Sequence, residues 1–230
     1  MKRTVWLISS LPLVITAVAL QFMPDTVPLH YNAAGEIDRW GSKYESLIFP
    51  AIALAMALVW QFAIPYFEKK ALSAPSDKER AQALQNVKVA KISGVSTAVL
   101  FTVLQVIIIF NACKAAKAGA GDFDSAGRII CIACGVFFIV LANFMPKAKN
   151  NRLIGVRTSW SMYNDTTWMK SNRAGAAAFM AAGLLTVVTA IFIGTPAATI
   201  LMMVWLFIAA AFSALYSRKV YKQEIAKEKE

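Results

Sequence analysis

The sequence is poor in the residues that usually build metal and redox sites. It has one histidine, His30, and three cysteines, Cys113, Cys131 and Cys134, which cannot all pair with one another. Cys131 and Cys134 form a C-x-x-C pair within an apolar run, and no second cysteine pair is present to complete a zinc site. We therefore expect neither a disulfide framework nor a metal centre, and interpret these two cysteines as small core residues.

Charged residues are also scarce, and they are missing from long stretches. Only 16% of the 230 residues are Asp, Glu, Lys or Arg, against about a quarter in a usual soluble domain, and 58% are hydrophobic. The stretches 4–23 and 46–67 hold 20 and 22 residues without a charge or a histidine, and a bilayer core requires about 20. The composition predicts an all-α polytopic membrane protein.

The apolar stretches predict six transmembrane helices. Two further stretches cover 92–112 and 129–145, and 174–217 holds 44 residues without a charge, about 66 Å as one helix. Because this exceeds twice a hydrocarbon core, the chain is predicted to turn at Gly194-Thr195-Pro196. In an alternative interpretation, the first stretch is a cleaved signal peptide ending near Ala17-Val18-Ala19. The polar residues within the stretches, Gln61, Gln105 and Asn111, are expected to form hydrogen bonds between helices rather than a polar path.

The distribution of positive charge predicts the orientation. Of the 24 Lys and Arg residues, 19 fall at the N-terminus, after helices two and four, and in the C-terminal tail, and 5 fall in the other connections. Both termini are therefore predicted to be cytoplasmic. Since the basic residues are dispersed, the net charge of +11 is attributed to topology and not to nucleic-acid binding.

The predicted units are an N-terminal two-helix module (1–67) with an outer loop (24–45), a cytoplasmic basic loop (68–91), a four-helix module (92–217) with a cytoplasmic motif loop (146–173), and a cytoplasmic tail (218–230).

The outer loop predicts a small extracytoplasmic hairpin between helices one and two. Extended segments are expected at 27–31 and 37–40, with a tight turn at 32–35. His30 with nearby carboxylates could form a metal or acid–base cluster, but local pairing of polar residues explains the same sequence. A third interpretation is a docking surface for an extracellular ligand, with candidate residues His30, Asn32, Gly35, Asp38 and Lys43.

The motif loop carries six basic residues and two tryptophans. A segment held against anionic lipid explains the charges, but explains less well the pattern N-x-x-I-G-x-R-T-x-W at 151–160. This pattern, together with an upstream Asn and Pro-Lys and a downstream W-x-x-x-x-R, resembles the SdpI immunity-protein family. The residues concerned are Asn143, Lys147, Asn151, Gly155, Arg157, Thr158, Trp160, Trp168 and Arg173, which are the candidate partner-binding residues. Members of the family often have Thr-His-Arg where this chain has Ser171-Asn172-Arg173, so a role for that histidine is not transferred.

The outer loop adds a second resemblance. Its pattern V-P-x-H-x-N-x-x-G-x-x-D, followed by G-S-K, is similar to a small domain of unknown function that commonly precedes the immunity module. Together the resemblances imply a multi-pass protein of the bacterial cytoplasmic membrane, acting in immunity to or sensing of a secreted antimicrobial peptide. The implied partners are the lipid bilayer, a peptide toxin and a cytoplasmic transcriptional repressor sequestered at the membrane. No cofactor, no catalytic residue and no direct contact with nucleic acid are expected.

The alternative function is a membrane enzyme or small-molecule transporter. It would bind a polar substrate through His30, Asp38 and Arg39, or through Asn151, Arg157 and Thr158. The sequence offers no recognisable nucleophile with its base and no glycine-rich phosphate loop. The predicted spans also lack the charged residues that ion-coupled transporters place along their pathways. These features favour immunity or sensing over catalysis.

Overall fold

The computed structural model describes residues 2–32, 35–118 and 123–228, and this part of the chain is mainly helical. Two 3-10 helices, Lys43–Leu47 and Met145–Lys147, adjoin the main elements. In chain order those elements are α1 (Lys2–Ala19), β1 (Thr26–Tyr31), β2 (Ile37–Ser42), α2 (Ile48–Leu72), α3 (Asp77–Ala118), α4 (Phe123–Phe144), α5 (Asp165–Phe192) and α6 (Thr195–Lys227). The predicted hairpin, the break between the last two helices and the all-α framework are confirmed.

Five helices in the described residues, α2 to α6, are long and apolar enough to cross a membrane. The apolar part of α1, Thr4–Ala19, is shorter. Large apolar side chains stand on the outside of the bundle, with Phe62, Phe110 and Phe207 being 73%, 71% and 69% exposed. Lipid is the solvent that such a surface requires, because water-exposed apolar patches of this extent are rare in monomeric proteins. The chain is a multi-pass membrane protein.

Helix α1 is joined to α2 and α3 by hydrogen bonds between polar side chains. The Trp6 indole donates to Gln61 Oε1 (2.8 Å), and Gln105 Nε2 donates to Thr16 Oγ1 (2.7 Å). Gln105 is fully buried. The expected interhelical role of Gln61 and Gln105 is confirmed, whereas Asn111 bonds to the hairpin, as described below.

Helix α3 begins at Asp77, well before the apolar stretch at 92. Its start is stabilised by Ser76 Oγ, which accepts a hydrogen bond from the Glu79 amide (3.3 Å), and by two acidic residues in the first turn. Lys91, in the part of α3 that precedes this stretch, pairs with Glu68 of α2 (2.9 Å). Absence of charge therefore marks only the membrane part of the helix, and most of the predicted basic loop is helical.

The helices form two groups, α1–α3 and α4–α6. In the second group α5 packs against both α4 and α6. A Cβ on Gly183 of α5 would lie 2.8 Å from the carbonyl oxygen of Gly135 in α4, so the two backbones can approach this closely only because both residues lack side chains. At the predicted turn, the Thr195 amide donates to Asp124 Oδ1 (2.6 Å), which attaches the start of α6 to the start of α4.

Candidate functional site

The outer hairpin pairs β1 and β2 in antiparallel register, from Thr26 opposite Ser42 to Tyr31 opposite Ile37. Gly35 has a φ of +83°, a conformation that favours glycine. Asn32 stabilises the turn by donating from Nδ2 to Glu36 Oε2 (2.9 Å) and accepting from the Glu36 amide (3.0 Å). Residues 33 and 34 of the predicted turn lie outside the described residues.

The other outer candidates form local pairs. His30 Nδ1 lies 2.6 Å from Asp38 Oδ1, and Lys43 Nζ lies 3.0 Å from Asp25 Oδ1. Among the described residues, no group of three or more His, Cys, Asp or Glu side chains could hold a metal ion. His30 and Asp38 are exposed, so the hairpin presents them as a polar outer surface.

The hairpin is attached firmly to the helices beneath it. Val27 is fully buried and packs with Met23 and Ile109. Asn111 of α3 donates from Nδ2 to the Tyr31 hydroxyl (3.0 Å). Burial raises the pKa of Tyr31 above its usual value, although the hydrogen bond from Asn111 opposes the rise. A ligand that bound the hairpin would therefore contact a surface fixed to α3.

The inner motif loop begins with Asn151, which is buried and uses its whole amide. Its Nδ2 donates to the carbonyls of Lys149 (2.7 Å) and Ile154 (3.1 Å), and its Oδ1 accepts from the amides of Leu153 and Ile154 (both 2.8 Å). Four hydrogen bonds satisfy both amide protons and both acceptor positions. Asn151 thus organises the loop internally.

Gly155 and Asn172 connect the loop to α5. Gly155 has a φ of +110°, and a Cβ added there would clash with Asn172 Oδ1. The Asn172 side chain is fully buried, accepts from the Val156 amide (2.9 Å) and donates to the Trp168 carbonyl (3.0 Å). Asn172 was not among the site residues predicted from the sequence, because the start of α5 holds many polar residues and gives this one no distinct signal.

A second group of hydrogen bonds shapes the end of the loop. Thr158 and Ser161 exchange hydrogen bonds between side chain and amide, at 2.9 and 3.0 Å, and Ser161 Oγ also donates to the Val156 carbonyl (2.7 Å). Asn164 and Thr167 then form a capping box that starts α5.

Two contacts hold the loop against the rest of the bundle. The buried Trp168 donates from Nε1 to the Ala148 carbonyl (2.8 Å). Asn86 of α3 accepts from the Lys149 amide (2.7 Å), and this residue was also absent from the predicted set. The N-terminal part of α3 therefore supports the motif loop directly.

The inner candidates divide by exposure. Asn151 and Trp168 are buried, and Gly155 and Thr158 are partly buried, so they build the loop. The exposed candidates are Asn143, Lys147, Arg157 and Arg173. Trp160 is partly buried and lies beneath Arg218 of α6, with 5.8 Å between the guanidinium carbon and the ring centre. An exposed basic surface is thus displayed on an internally bonded loop.

The C-terminal end of α6 packs beside this surface. Lys170 Nζ lies 3.0 Å from Glu224 Oε1, and the Tyr163 hydroxyl donates to Glu228 Oε2 (2.6 Å). The hydrogen bond to Glu228 raises the pKa of Tyr163, and burial and the negative charge of Glu228 add to the rise. The tail joins the motif loop through these side chains.

A cavity of about 470 Å³ lies between the two helix groups, on the membrane side of the motif loop. The loop residues Leu153 to Val156 and Thr158 line it at one end, and Trp60 and Thr97 line it from α2 and α3. Its lining is mainly apolar, and Asn151 and Arg157 do not line it. Such a cavity does not suit a polar substrate.

Comparisons with known proteins match both ends of the chain. Residues 7–54 match a domain of unknown function (DUF1648), and residues 147–217 match the SdpI/YfhL protein family. The first match covers most of α1, the hairpin and the start of α2, and the second covers the motif loop, α5 and most of α6. Both resemblances noted in the sequence are therefore confirmed.

Two similar proteins are known by sequence. The chain is 33% identical over 95 residues to "Immunity protein SdpI" of Bacillus subtilis (strain 168), covering 41% of this chain and 45% of that protein. It is 50% identical over 38 residues to an uncharacterized protein of Archaeoglobus fulgidus, covering 16% of this chain and 21% of that protein. The matched parts thus span less than half the length of either relative. No solved structure matches.

Proposed function

We propose that this chain, whose residues 147–217 match the SdpI/YfhL protein family, is a bacterial membrane protein that gives immunity to a secreted antimicrobial peptide. The supporting observation is that the family match begins at the motif loop, where Asn151, Gly155 and Asn172 form a loop with its own hydrogen bonds. An internally bonded loop presents its exposed cations in a fixed arrangement, as recognition of a protein partner requires.

The proposed topology has six spans with both termini in the cytoplasm, including α1 as a span. The bonds from Trp6 and Thr16 to α2 and α3 support α1 as an integral helix of the bundle. The units are 1–67, 68–91, 92–217 and 218–230, with the second now mostly helical.

Thr26 and Ser159 are both exposed, so T26C and S159C place a thiol on each proposed side. A membrane-impermeant thiol reagent added to intact cells should label T26C alone, over the background of the three native cysteines.

The two faces have different roles in this proposal. His30, Asn32, Gly35, Asp38 and Lys43 form or shape the outer surface that meets the peptide. The inner surface recruits a cytoplasmic repressor through Lys147, Arg157 and Arg173, which Asn143 and Trp160 flank. Asn151, Gly155, Thr158 and Trp168 act there by holding the loop in shape.

Protection is tested by expressing the gene in a toxin-sensitive bacterium and measuring survival with candidate secreted peptides. Cells with confirmed membrane expression should survive, and H30A/D38N should lose protection without losing expression. Equal killing of expressing and empty cells by every peptide would contradict the immunity role.

Recruitment of a repressor is a separate measurement. A fluorescent fusion of a candidate repressor should move to the membrane with the wild type and remain in the cytoplasm with R157Q. The matched control is K222Q, which removes an exposed charge from the cytoplasmic end of α6. If R157Q and K222Q recruit the repressor equally, the inner loop is not its docking surface.

A further inference from the structure

The cavity between the helix groups has walls from both of them. Val89 and Thr97 of α3 and Trp60 of α2 line one side, and Phe138 of α4, Phe179 of α5 and Ala210 of α6 line the other. Ala210 is exposed, so the cavity opens at the surface of α6 that faces lipid. At about 470 Å³ it falls within the size range of small-molecule sites, about 300–1,000 Å³.

Two hydroxyl groups of the lining, on Thr97 and Ser213, are bonded to their own helices. Thr97 Oγ1 donates to the Ser93 carbonyl (2.8 Å), and Ser213 Oγ donates to the Ala209 carbonyl (2.6 Å). The indole N–H of Trp60 differs, because it is buried and no described residue accepts its hydrogen bond. That nitrogen has no accessible surface of its own, so an occupant meets mainly apolar walls, which fit an apolar chain.

Positive charge adjoins the cytoplasmic end of the cavity. Leu153, Val156 and Thr158 line it, and the exposed residues Arg152 and Arg157 are their immediate neighbours in sequence. Arg157 uses one guanidinium nitrogen to bond the Arg152 carbonyl, and a guanidinium group carries further N–H donors. Guanidinium groups at the membrane surface attract anionic headgroups.

We propose that this cavity holds an acyl chain of an anionic phospholipid from the cytoplasmic leaflet. The chain occupies the apolar space between α2 and α6, and the phosphate pairs with Arg152 and Arg157. The bound chain contacts the motif loop from the membrane side. This proposal is independent of immunity, since it concerns what the membrane itself supplies.

The test uses the full chain in phosphatidylcholine vesicles containing phosphatidylglycerol with a photoactivatable diazirine on its acyl chain. After illumination, peptide mass spectrometry should find adducts at Thr97, Phe138 or Phe179 well above those at Phe207, which is 69% exposed on the outside of α6. Labelling of the cavity residues no greater than that of Phe207 would overturn the proposal.

Two neighbouring variants separate the cavity from the general lipid surface. A210F fills the mouth and should remove most cavity adducts, whereas A211F adds the same side chain at an exposed position that does not line the cavity. Equal cavity labelling in A210F and A211F would refute occupancy through this opening. The wild-type labelling pattern remains decisive if A210F does not fold.

The headgroup is tested with the same diazirine chain on phosphatidylcholine. Phosphatidylglycerol should label the cavity more strongly, and R152Q and R157Q should each reduce that preference by about fivefold, the effect of one interfacial charge. Equal labelling by the two wild-type lipids would overturn the anionic part of the proposal. Strong labelling by neither would leave the cavity to a ligand other than phospholipid.

Discussion

Replacing Gly155 with alanine tests whether the motif loop has the structural role described above. At a φ of +110° any residue with a Cβ is strained, by about 1–3 kcal/mol. The added Cβ also clashes with Asn172 Oδ1. That oxygen cannot move away without losing the bond from the Val156 amide, and leaving that buried amide unpaired adds about 1–3 kcal/mol. We therefore expect G155A to destabilise the loop by about 2–6 kcal/mol.

Hydrogen–deuterium exchange at the Val156 amide measures this change. If local opening controls exchange, even the lower figure speeds exchange by about 30-fold. The control G194A makes the same substitution at a φ of −59°, where the nearest atom, Asp124 Oδ1, is at an ordinary 3.4 Å. G194A should leave the Val156 amide unchanged. Wild-type exchange in G155A would refute the assigned strain and the role of Asn172.

Three further predictions concern single side chains. N172A should destabilise the loop by about 1–3 kcal/mol and speed exchange of the amide it bonds, because that amide remains buried. Q105L removes the buried hydrogen bond between Gln105 and Thr16, yet it should lower the free energy of unfolding in detergent by less than about 1 kcal/mol. Hydrogen bonds between membrane helices contribute little to stability, so a much larger loss would contradict this account. In Tyr163, the raised pKa means that folding favours the neutral phenol. The stabilisation of the folded state by the neutral Tyr163 phenol is therefore complete below the ordinary pKa of 10.0 and is lost as the pH rises through the raised pKa. Absorbance titration of wild type minus Y163F should show ionisation above that of free tyrosine.

Features set by local patterns could be predicted from the sequence. The absence of charged residues identified the parts of the helices that lie in the membrane, because each charged residue placed in lipid adds its own energetic cost. The turn at Gly194 and the strands beside Gly35 were recognised for a similar reason, since backbone preferences there act over a few residues. The same reasoning missed the start of α3, because Lys and Arg do not prevent a helix from continuing into water.

Features set by packing between distant segments could not be predicted. Asn86 and Lys149 are far apart in sequence, and their hydrogen bond exists only because α3 passes beside the motif loop. Asn172 was visible as a polar residue, but its role depends on the position of Val156 across the loop. The cavity depends on how two helix groups meet, so no single stretch of sequence contains a signal for it.

Helix α3 has a further consequence, because it is bonded at both membrane surfaces. Asn111 contacts the hairpin and Asn86 contacts the motif loop, and about 25 residues of uninterrupted helix separate them, a span of about 37 Å. This exceeds the roughly 30 Å hydrocarbon thickness, so the helix is long enough to hold the two contacts near opposite surfaces of the lipid core. The distance between the hairpin and the motif loop is consequently set by the length of this one helix. A bilayer of a different thickness would have to adapt to this protein by thinning or by tilt of the bundle, since the helix has no break at which to shorten.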